Sequence, residues 1–335
     1  MDLKHLLKRG ALLAAANWQT VAIQFIAQTT FQVLLAVPII GAAILVAVLL
    51  GADLGDLLQG SLREMFTTIA STLLSEPVAL VAFMTAFTLV LLGGSVLMFA
   101  VKGGTVDVLV AANASAPPIE REPVTVATLR NASRFTLQRF MAGCARLFRP
   151  YLTLGAGLMI VYAISVAGYL TFVVYGYRVA GGRYLIIGWT FIAAVAAALL
   201  VVWFTLVNLL YLLLQIAMAV DGVGLGDAVR AASRFVRSEF RDLAGVFVVV
   251  LGLVVAATFA SALAWSGVGL IAFVPLVGLA VFPLQLGALL VRGIVFEYLG
   301  LTALGAYVTL YQGYVARRAD ARDGSPVNSP LEHPA

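Results

Sequence analysis

The chain has 335 residues, of which 62% are hydrophobic and only 11% are charged, and its formal net charge is +5. Because soluble domains carry roughly a quarter of their residues as charged side chains, this composition excludes an ordinary soluble domain and predicts an all-α, polytopic membrane protein. The single cysteine, Cys144, excludes an intramolecular disulfide. His5 and His333 are the only histidines, one near each end, so no histidine-based metal or catalytic centre and no cofactor is predicted.

Intervals without charged side chains predict where the chain crosses a membrane, because a span needs about 20 apolar residues. The uncharged intervals are 10–52, 77–101, 150–177, 184–220, 243–291 and 298–316. The fifth is long enough for two passes with a turn at 265–269, so both six and seven spans are open. About six are favoured, and residues 270–291, which contain Pro275 and Pro283, would then form a kinked or partly re-entrant segment.

The distribution of lysine and arginine predicts the orientation of the spans. Basic residues concentrate before the first apolar interval, in 103–149, in 221–242 and after residue 316, whereas 51–77 is mainly acidic. The basic connections are the expected cytoplasmic side, so both termini are predicted to be cytoplasmic. The first apolar run is too long for a removable signal peptide and is expected to stay as the first anchor.

One cationic segment occurs twice, as RNASRFTLQRF at 130–140 and as RAASRFVRSEF at 230–240. On a helix with about 100° per residue, one stripe of the later copy holds Arg230, Arg234, Arg237 and Arg241. Roughly opposite are Leu225, Val229, Ala232, Val236 and Phe240. This pattern predicts an amphipathic helix in the cytoplasmic interface, with its arginines on anionic lipid head groups. In the earlier copy Arg130 and Arg134 keep their places, so they are predicted to make the same contact.

The duplication predicts a repeated structural unit, in which one interfacial helix is followed by a transmembrane hairpin. If a fainter N-terminal copy is real, the repeat units are 1–103, 104–221 and 222–316; otherwise the duplication is local. Together they form a single integral membrane domain, 1–316, and the polar segment 317–335 is predicted to be a disordered cytoplasmic tail.

Two ionisable residues interrupt the apolar side of the duplicated segments. Glu239 falls about opposite the arginine stripe, and its counterpart one hundred residues earlier is Arg139. One hypothesis pairs Arg139 with Glu239 as an inter-repeat ion pair, since each would be costly alone. The alternative is that both extend independently to the head groups.

Ionisable residues also interrupt the last apolar stretch. Arg292 and Glu297 lie near Pro275 and Pro283, and charged groups within a membrane segment are candidates for a transport pathway. The alternative is that these charges simply end two spans at the interface.

The basic stretch that ends in Ala-Ser-Arg-Phe, an apolar pair of spans and the closing tyrosine-rich sequence AYVTLY at 306–311 resemble a known membrane domain. This domain is associated with bacterial glycerophosphodiester phosphodiesterases. The resemblance covers most of the chain and implies a multi-pass module of a bacterial cytoplasmic membrane. The chain has no room for the soluble catalytic barrel to which such modules are fused, so no catalytic residue is carried over.

These observations predict a non-catalytic membrane protein, a scaffold, an assembly factor or a lipid-responsive module. Its expected partners are anionic membrane lipids and a protein in the membrane, and no nucleic acid. A transporter or channel that uses a broken segment at 270–297 is the first alternative. A membrane-embedded lipid-modifying enzyme is the second, for which the acidic cluster is Asp221, Asp227, Glu239 and Asp242.

Overall fold

The structure is a computed structural model that describes residues 2–50, 71–72, 74–121, 123–181, 186–272 and 277–323. Throughout these residues the regular secondary structure is helical, which confirms the predicted all-α class. In chain order the helices are α1 (Leu3–Ala16), α2 (Trp18–Leu50), α3 (Pro77–Ser115), α4 (Val126–Ala132), α5 (Leu137–Gly181), α6 (Ile186–Asp221), α7 (Leu225–Ser238), α8 (Phe240–Ala272) and α9 (Val277–Asp323).

Six of the described helices are long and apolar enough to cross a membrane, as predicted for a multi-pass protein. The candidate spans are Trp18–Val46, Pro77–Ser115, Leu137–Gly181, Ile186–Asp221, Phe240–Ala264 and Pro283–Ala321. Each exceeds the roughly 20 residues that cross 30 Å of hydrocarbon at about 1.5 Å per residue.

The C-terminal hairpin differs from the sequence prediction in two places. Residues 265–269, the turn in the alternative with two passes, are helical and belong to α8, which continues to Ala272. Helix α9 runs through Pro283 without a break, so 277–291 is not re-entrant. Pro283 lies in the second turn of α9, where a missing N–H removes one backbone hydrogen bond and leaves the rest of the helix intact. Pro275 lies outside the described residues.

The predicted C-terminal tail begins as helix. Helix α9 continues to Asp323, so residues 317–323 of the segment expected to be disordered are helical. Residues 324–335 lie outside the described part of the chain.

Two compact units make up the fold: Met1–Val21 together with Gly103–Ala335, and Ala22–Lys102. These boundaries do not follow the three predicted repeat units. Within the smaller unit, apolar side chains of α2 and α3 form a cluster of Ala42, Leu45, Val46, Ala79, Leu80 and Phe83.

Burial in the larger unit is concentrated at one end, which we call the packed end. It is formed by α1, residues 103–115 of α3, residues 137–155 of α5, residues 211–221 of α6, α7 and residues 301–314 of α9. Beyond it, only Ala180 is buried among the described residues of 156–181, 186–210, 247–264 and 283–300. These stretches expose many large apolar side chains, as membrane-spanning segments do to lipid.

Helix α1 lies directly on α9 because a glycine is present at the crossing. A Cβ atom on Gly10 would overlap the Thr302 carbonyl oxygen and would lie 2.7 Å from the Ala306 nitrogen. On the facing helix, a Cβ on Gly305 would lie 3.0 Å from the Gly10 Cα. Small residues permit such backbone contact between helices, so the first helix of the chain is fixed against the last.

A glycine also reverses the chain between α6 and α7. Gly222 follows the end of α6 with a φ of +64°, in the left-handed region that glycine adopts readily. Its N–H donates to the Met218 carbonyl at 3.1 Å, which closes the last turn of α6. Helix α7 can therefore begin at Leu225 and return along the packed end.

Candidate functional site

Helix α7 contains most of the later cationic segment and turns its arginines outward. The exposed side chains are Arg230, Arg234 and Arg237 on α7 and Arg241 in the first turn of α8. The buried residues of α7 are Ala228, Ala232 and Phe235. Arg230, Arg234 and Arg237 therefore share the exposed side of α7, whose other side is packed on protein. Arg241 lies beyond the helix break at Glu239, so the later copy is not one continuous helix as predicted. We call these four residues the arginine stripe. Contact of this stripe with lipid stays a prediction.

An aromatic cluster holds α7 in place. The Phe235 side chain is fully buried, and its ring centroid lies 5.1 Å from that of Tyr311 and 5.4 Å from that of Tyr314. The Tyr311 hydroxyl donates to the Asp221 carboxylate at 2.6 Å. The cluster thus joins α7, α9 and the end of α6, and aromatic pairs at these distances add to the stabilisation from burial.

The apolar side of the later segment is divided in two. Sequence periodicity placed Ala232 with Leu225, Val229 and Phe240 on one lipid-facing stripe, but Ala232 is fully buried against protein. Leu225, Val229 and Phe240 are exposed by 39%, 48% and 62%. At about 100° per residue, Leu225 and Val229 lie on α7 between its buried face and its arginines, whereas Phe240 belongs to α8. A helix in a membrane interface has this order of faces when one side is packed on protein.

The earlier copy of the segment is not one helix. Helix α4 ends at Ala132, residues 133–136 are not helical, and α5 begins at Leu137. The cause is Asn17, which is fully buried between α1 and α2. Its Oδ1 accepts hydrogen bonds from the backbone N–H groups of Arg134 at 2.9 Å and Phe135 at 3.1 Å. Those N–H groups are therefore bonded to a side chain instead of a helical carbonyl.

The two arginines of the earlier copy differ in their surroundings. Arg130 is exposed. The Arg134 guanidinium donates to the Ser115 hydroxyl at 2.7 Å and to the Ser133 carbonyl at 3.1 Å. Arg130 therefore keeps the geometry for a head-group contact, whereas Arg134 is occupied in joining the earlier copy to the end of α3.

The predicted ion pair between Arg139 and Glu239 is wrong. The Glu239 carboxylate accepts from the Arg317 guanidinium at 2.7 Å, and Arg317 is its ion-pair partner among the described residues. Because the earlier copy breaks at 133–136, Arg139 lies exposed in the first turn of α5 and not in a counterpart of α7. The last turns of α9 instead reach the junction of α7 and α8.

We expect the Glu239–Arg317 pair to contribute about 0.5–1 kcal/mol, since Arg317 is half exposed. Arg317→Glu should lower the midpoint of chemical unfolding in mixed micelles, and Arg317→Glu with Glu239→Arg should restore it. Arg139→Glu serves as the matched control and should leave the midpoint unchanged. Rescue of a defective Arg139→Glu variant by Glu239→Arg would instead restore the inter-repeat hypothesis.

A buried guanidinium lies at the centre of the packed end. Arg9 of α1 has a side chain that is only 11% exposed. Its five N–H donors are matched by five acceptors: the side-chain oxygens of Asn113 (2.6 Å) and Glu120 (2.7 Å), and the carbonyls of Asn113, Ala116 and Pro117. This arrangement fixes the end of α3 and the residues that follow it to α1.

The Arg9 network extends to α9 through Asn113. The Asn113 side-chain amide donates to Gln312 at 2.6 Å, and its oxygen also accepts from the Thr309 hydroxyl at 3.0 Å. Helices α1, α3 and α9 are therefore joined by one polar network, and the first and last helices bond the same asparagine. Sequence analysis missed this site, although Asn113, Thr309 and Gln312 interrupt otherwise apolar runs and gave a signal for it.

The Glu120 carboxyl is held ionised by its surroundings. Burial by itself would raise its pKa, but hydrogen bonds from its own backbone N–H and from Arg9, with the positive charges of Arg9 and Arg121, outweigh burial. The pKa of Glu120 consequently lies below its ordinary value of 4.5.

This pKa direction predicts how stability depends on pH. A carboxyl with a lowered pKa in the folded state contributes stability above its unfolded pKa and loses that contribution as the pH falls through the folded pKa. We therefore expect the free energy of unfolding to decrease below about pH 4.5, where the unfolded carboxyl begins to bind protons. The measurement is the unfolding midpoint against pH, with Glu120→Gln alongside. If that variant loses stability with the wild-type slope, Glu120 is not the titrating group.

The residues of the predicted transport pathway are not brought together. Arg292 lines an apolar groove of about 500 Å³ between α8 and α9, and its guanidinium lies 5.7 Å from the centroid of the Phe296 ring. Pro283 and Glu297 are not among the residues that line this groove. Of the three described residues predicted to form the pathway, only Arg292 therefore lines the groove.

Comparison with known proteins gives no relative for this arrangement. No protein-family model, curated protein or solved structure matches the chain. The resemblance to the membrane domain of glycerophosphodiester phosphodiesterases therefore stays a prediction. Within the described ranges, no group of three or more His, Cys, Asp or Glu side chains could hold a metal ion.

Proposed function

We propose that the protein is a non-catalytic, multi-pass protein of a bacterial cytoplasmic membrane, a scaffold or assembly module that responds to anionic lipid through α7. The observation that carries the proposal is the division of α7 into three faces. Phe235 is buried against Tyr311 and Tyr314, Val229 is exposed beside that face, and the arginine stripe is exposed beyond it. Such a helix can place its apolar strip in acyl chains and its arginines on phosphates.

Charge supports anionic lipid as the preferred contact. Arg230, Arg234, Arg237 and Arg241 lie on one exposed stripe. Each arginine near an anionic membrane surface gains about 1 kcal/mol, and the attraction falls off within a Debye length. The attraction of the whole stripe to the membrane therefore amounts to several kcal/mol only where anionic lipid is present. Since α7 packs on α9 and the end of α6, a change in its position is transmitted to the packed end.

The contacts of the acidic side chains support a non-catalytic role. Asp221 accepts from Tyr311, Asp227 pairs with Arg230 at 3.2 Å, and Glu239 pairs with Arg317. These carboxylates belong to the acidic cluster that a lipid-modifying enzyme would have used. Their structural contacts favour a scaffold over that enzyme.

The proposed orientation places both termini in the cytoplasm. Arg9 near the start of the chain and Gln312 near its end both bond Asn113, so the two ends of the larger unit meet at the packed end. Lysine and arginine concentrate there, which favours the cytoplasmic side. An alkaline phosphatase fused after Asp323 should be inactive and a fluorescent protein at the same place should fold; the reverse would overturn this orientation.

The transport alternative has less support. It depended on a broken segment at 270–297, and the described part of that segment after residue 276 is one uninterrupted helix, α9. Between residues 277 and 297, therefore, the helix has no interior end whose freed carbonyls could bind an ion. We therefore do not propose transport.

Hydrogen exchange in nanodiscs tests the proposed function. Backbone amides of α7 should exchange more slowly in discs that contain phosphatidylglycerol than in discs of phosphatidylcholine alone. A variant with glutamine at the four positions of the arginine stripe should lose this difference. The control changes Arg139→Gln and Arg149→Gln, which are exposed on α5, and should keep it. Equal exchange of wild-type α7 in both discs would contradict the proposal.

A further inference from the structure

A cation lies in the lipid-facing part of α9, away from the packed end. Arg292 is exposed, and it lies roughly 13 Å along the helix before residue 301, at about 1.5 Å of rise per residue. Within that lipid-facing part, charged groups are costly and require a partner. Among the described residues no acidic side chain lies within ion-pair distance of the Arg292 guanidinium. Its recorded contact is with the ring of Phe296.

The Arg292 guanidinium lies beside an aromatic ring of the next turn of α9. Its carbon is 5.7 Å from the centroid of the Phe296 ring, a distance at which the cation is attracted to the face of the ring.

The groove between α8 and α9 is lined on α9 by residues between Leu284 and Phe296, and Arg292 lies within this range. Its volume is about 500 Å³, and one wall on α8 is made by alanines and a serine. On α9 the wall includes Gly287 and Ala288, which precede Arg292. Small side chains on both helices leave room in the groove, and among the described residues that line it Arg292 is the charged one. An amphiphile with one anionic group and an apolar chain matches this distribution of charge and space.

We propose that this groove binds one phospholipid, with the phosphate on Arg292 and an acyl chain along Ala260, Ala264 and Ala288. Arginine suits a phosphate because its planar guanidinium donates two parallel hydrogen bonds. The site is separate from α7. It binds one lipid molecule, whereas α7 is attracted to a charged membrane surface as a whole.

Native mass spectrometry of the full chain, purified in detergent, tests the proposal. Wild-type protein should retain one phospholipid, and after delipidation it should rebind added phosphatidylglycerol. Arg292→Gln should weaken rebinding roughly tenfold through loss of the charge-assisted hydrogen bonds. Ala260→Phe should fill the groove and abolish retention. Arg149→Gln, which removes an exposed arginine of α5 outside the arginine stripe, is the matched control and should rebind normally.

Several outcomes would overturn the proposal. Wild-type protein that carries no lipid, or an Ala260→Phe variant that retains it, excludes the groove as the site. Retention of a free fatty acid instead would exclude the phosphate contact. Each variant is first compared with wild type by gel filtration and unfolding midpoint. If Arg292→Gln fails to fold, Ala260→Phe and a lipid cross-link from a photoreactive residue at position 264 decide the result, and absence of the cross-link counts against the site.

Discussion

Replacement of Arg9 by leucine is expected to destabilise the folded protein by about 3–5 kcal/mol, because breaking a buried ion pair leaves the other charge without compensation. Glu120 would remain buried, and the Asn113 side-chain oxygen would lose Arg9 as a donor while keeping the Thr309 hydroxyl. The measurement is the free energy of chemical unfolding in mixed micelles. Lys4→Leu provides the control, since Lys4 is exposed on the same helix.

The double variant Arg9→Leu, Glu120→Leu refines this prediction. Replacement of both charges by apolar side chains removes the uncompensated carboxylate, so we expect it to recover part of the stability. The carbonyls of Asn113, Ala116 and Pro117 would still lack their donors. If Arg9→Leu and Lys4→Leu unfold at the same denaturant concentration, the network does not stabilise the packed end.

Truncation of Phe235 to alanine is expected to cost about 3–5 kcal/mol, because it removes a fully buried aromatic side chain from contact with Tyr311 and Tyr314. The matched control is Phe240→Ala, which alters the other phenylalanine of the later copy. Phe240 is 62% exposed, so this change should leave the free energy of unfolding nearly unchanged.

The Phe235 variant also distinguishes two contributions to the stability of α7: its packing on α9 and the charge of its arginines. Phe235→Ala retains every arginine of the stripe but releases α7 from α9, so hydrogen exchange in α7 should become faster even in discs with anionic lipid. A variant that keeps wild-type exchange and wild-type stability would show that α7 is held by contacts other than the aromatic cluster.

The features that were predictable from the sequence are those set by local periodicity and composition. Uninterrupted apolar length predicted the spanning helices, since hydrocarbon thickness fixes how many residues are needed. The spacing of Arg230, Arg234 and Arg237 predicted the exposed arginines of α7, because helical periodicity places those positions together. It did not predict the helix break at Glu239, which puts Arg241 in α8. It did not predict that Ala232 packs against protein, since periodicity does not distinguish a lipid-facing side from a protein-facing side.

Long-range contacts account for what was missed. The earlier copy of the cationic segment is broken by hydrogen bonds from Arg134 and Phe135 to Asn17, a residue more than a hundred positions away. Glu239 pairs with Arg317 because the last helix passes the junction of α7 and α8, which local comparison of the two copies could not reveal. Proline was taken to break α9, but Pro283 lies close enough to the start of that helix to be accommodated.

Depth measurement along α7 tests the central claim most directly. Spin labels would be placed at Val229→Cys and Arg234→Cys in a Cys144→Ser background, in nanodiscs that contain anionic lipid. The measured quantity is how much each paramagnetic reagent speeds the relaxation of the label. If α7 lies in the membrane interface, the label at 229 should collide mainly with oxygen, which partitions into acyl chains. The label at 234 should collide mainly with an aqueous nickel chelate. Equal access of the nickel chelate to both positions would place α7 in water and contradict the account.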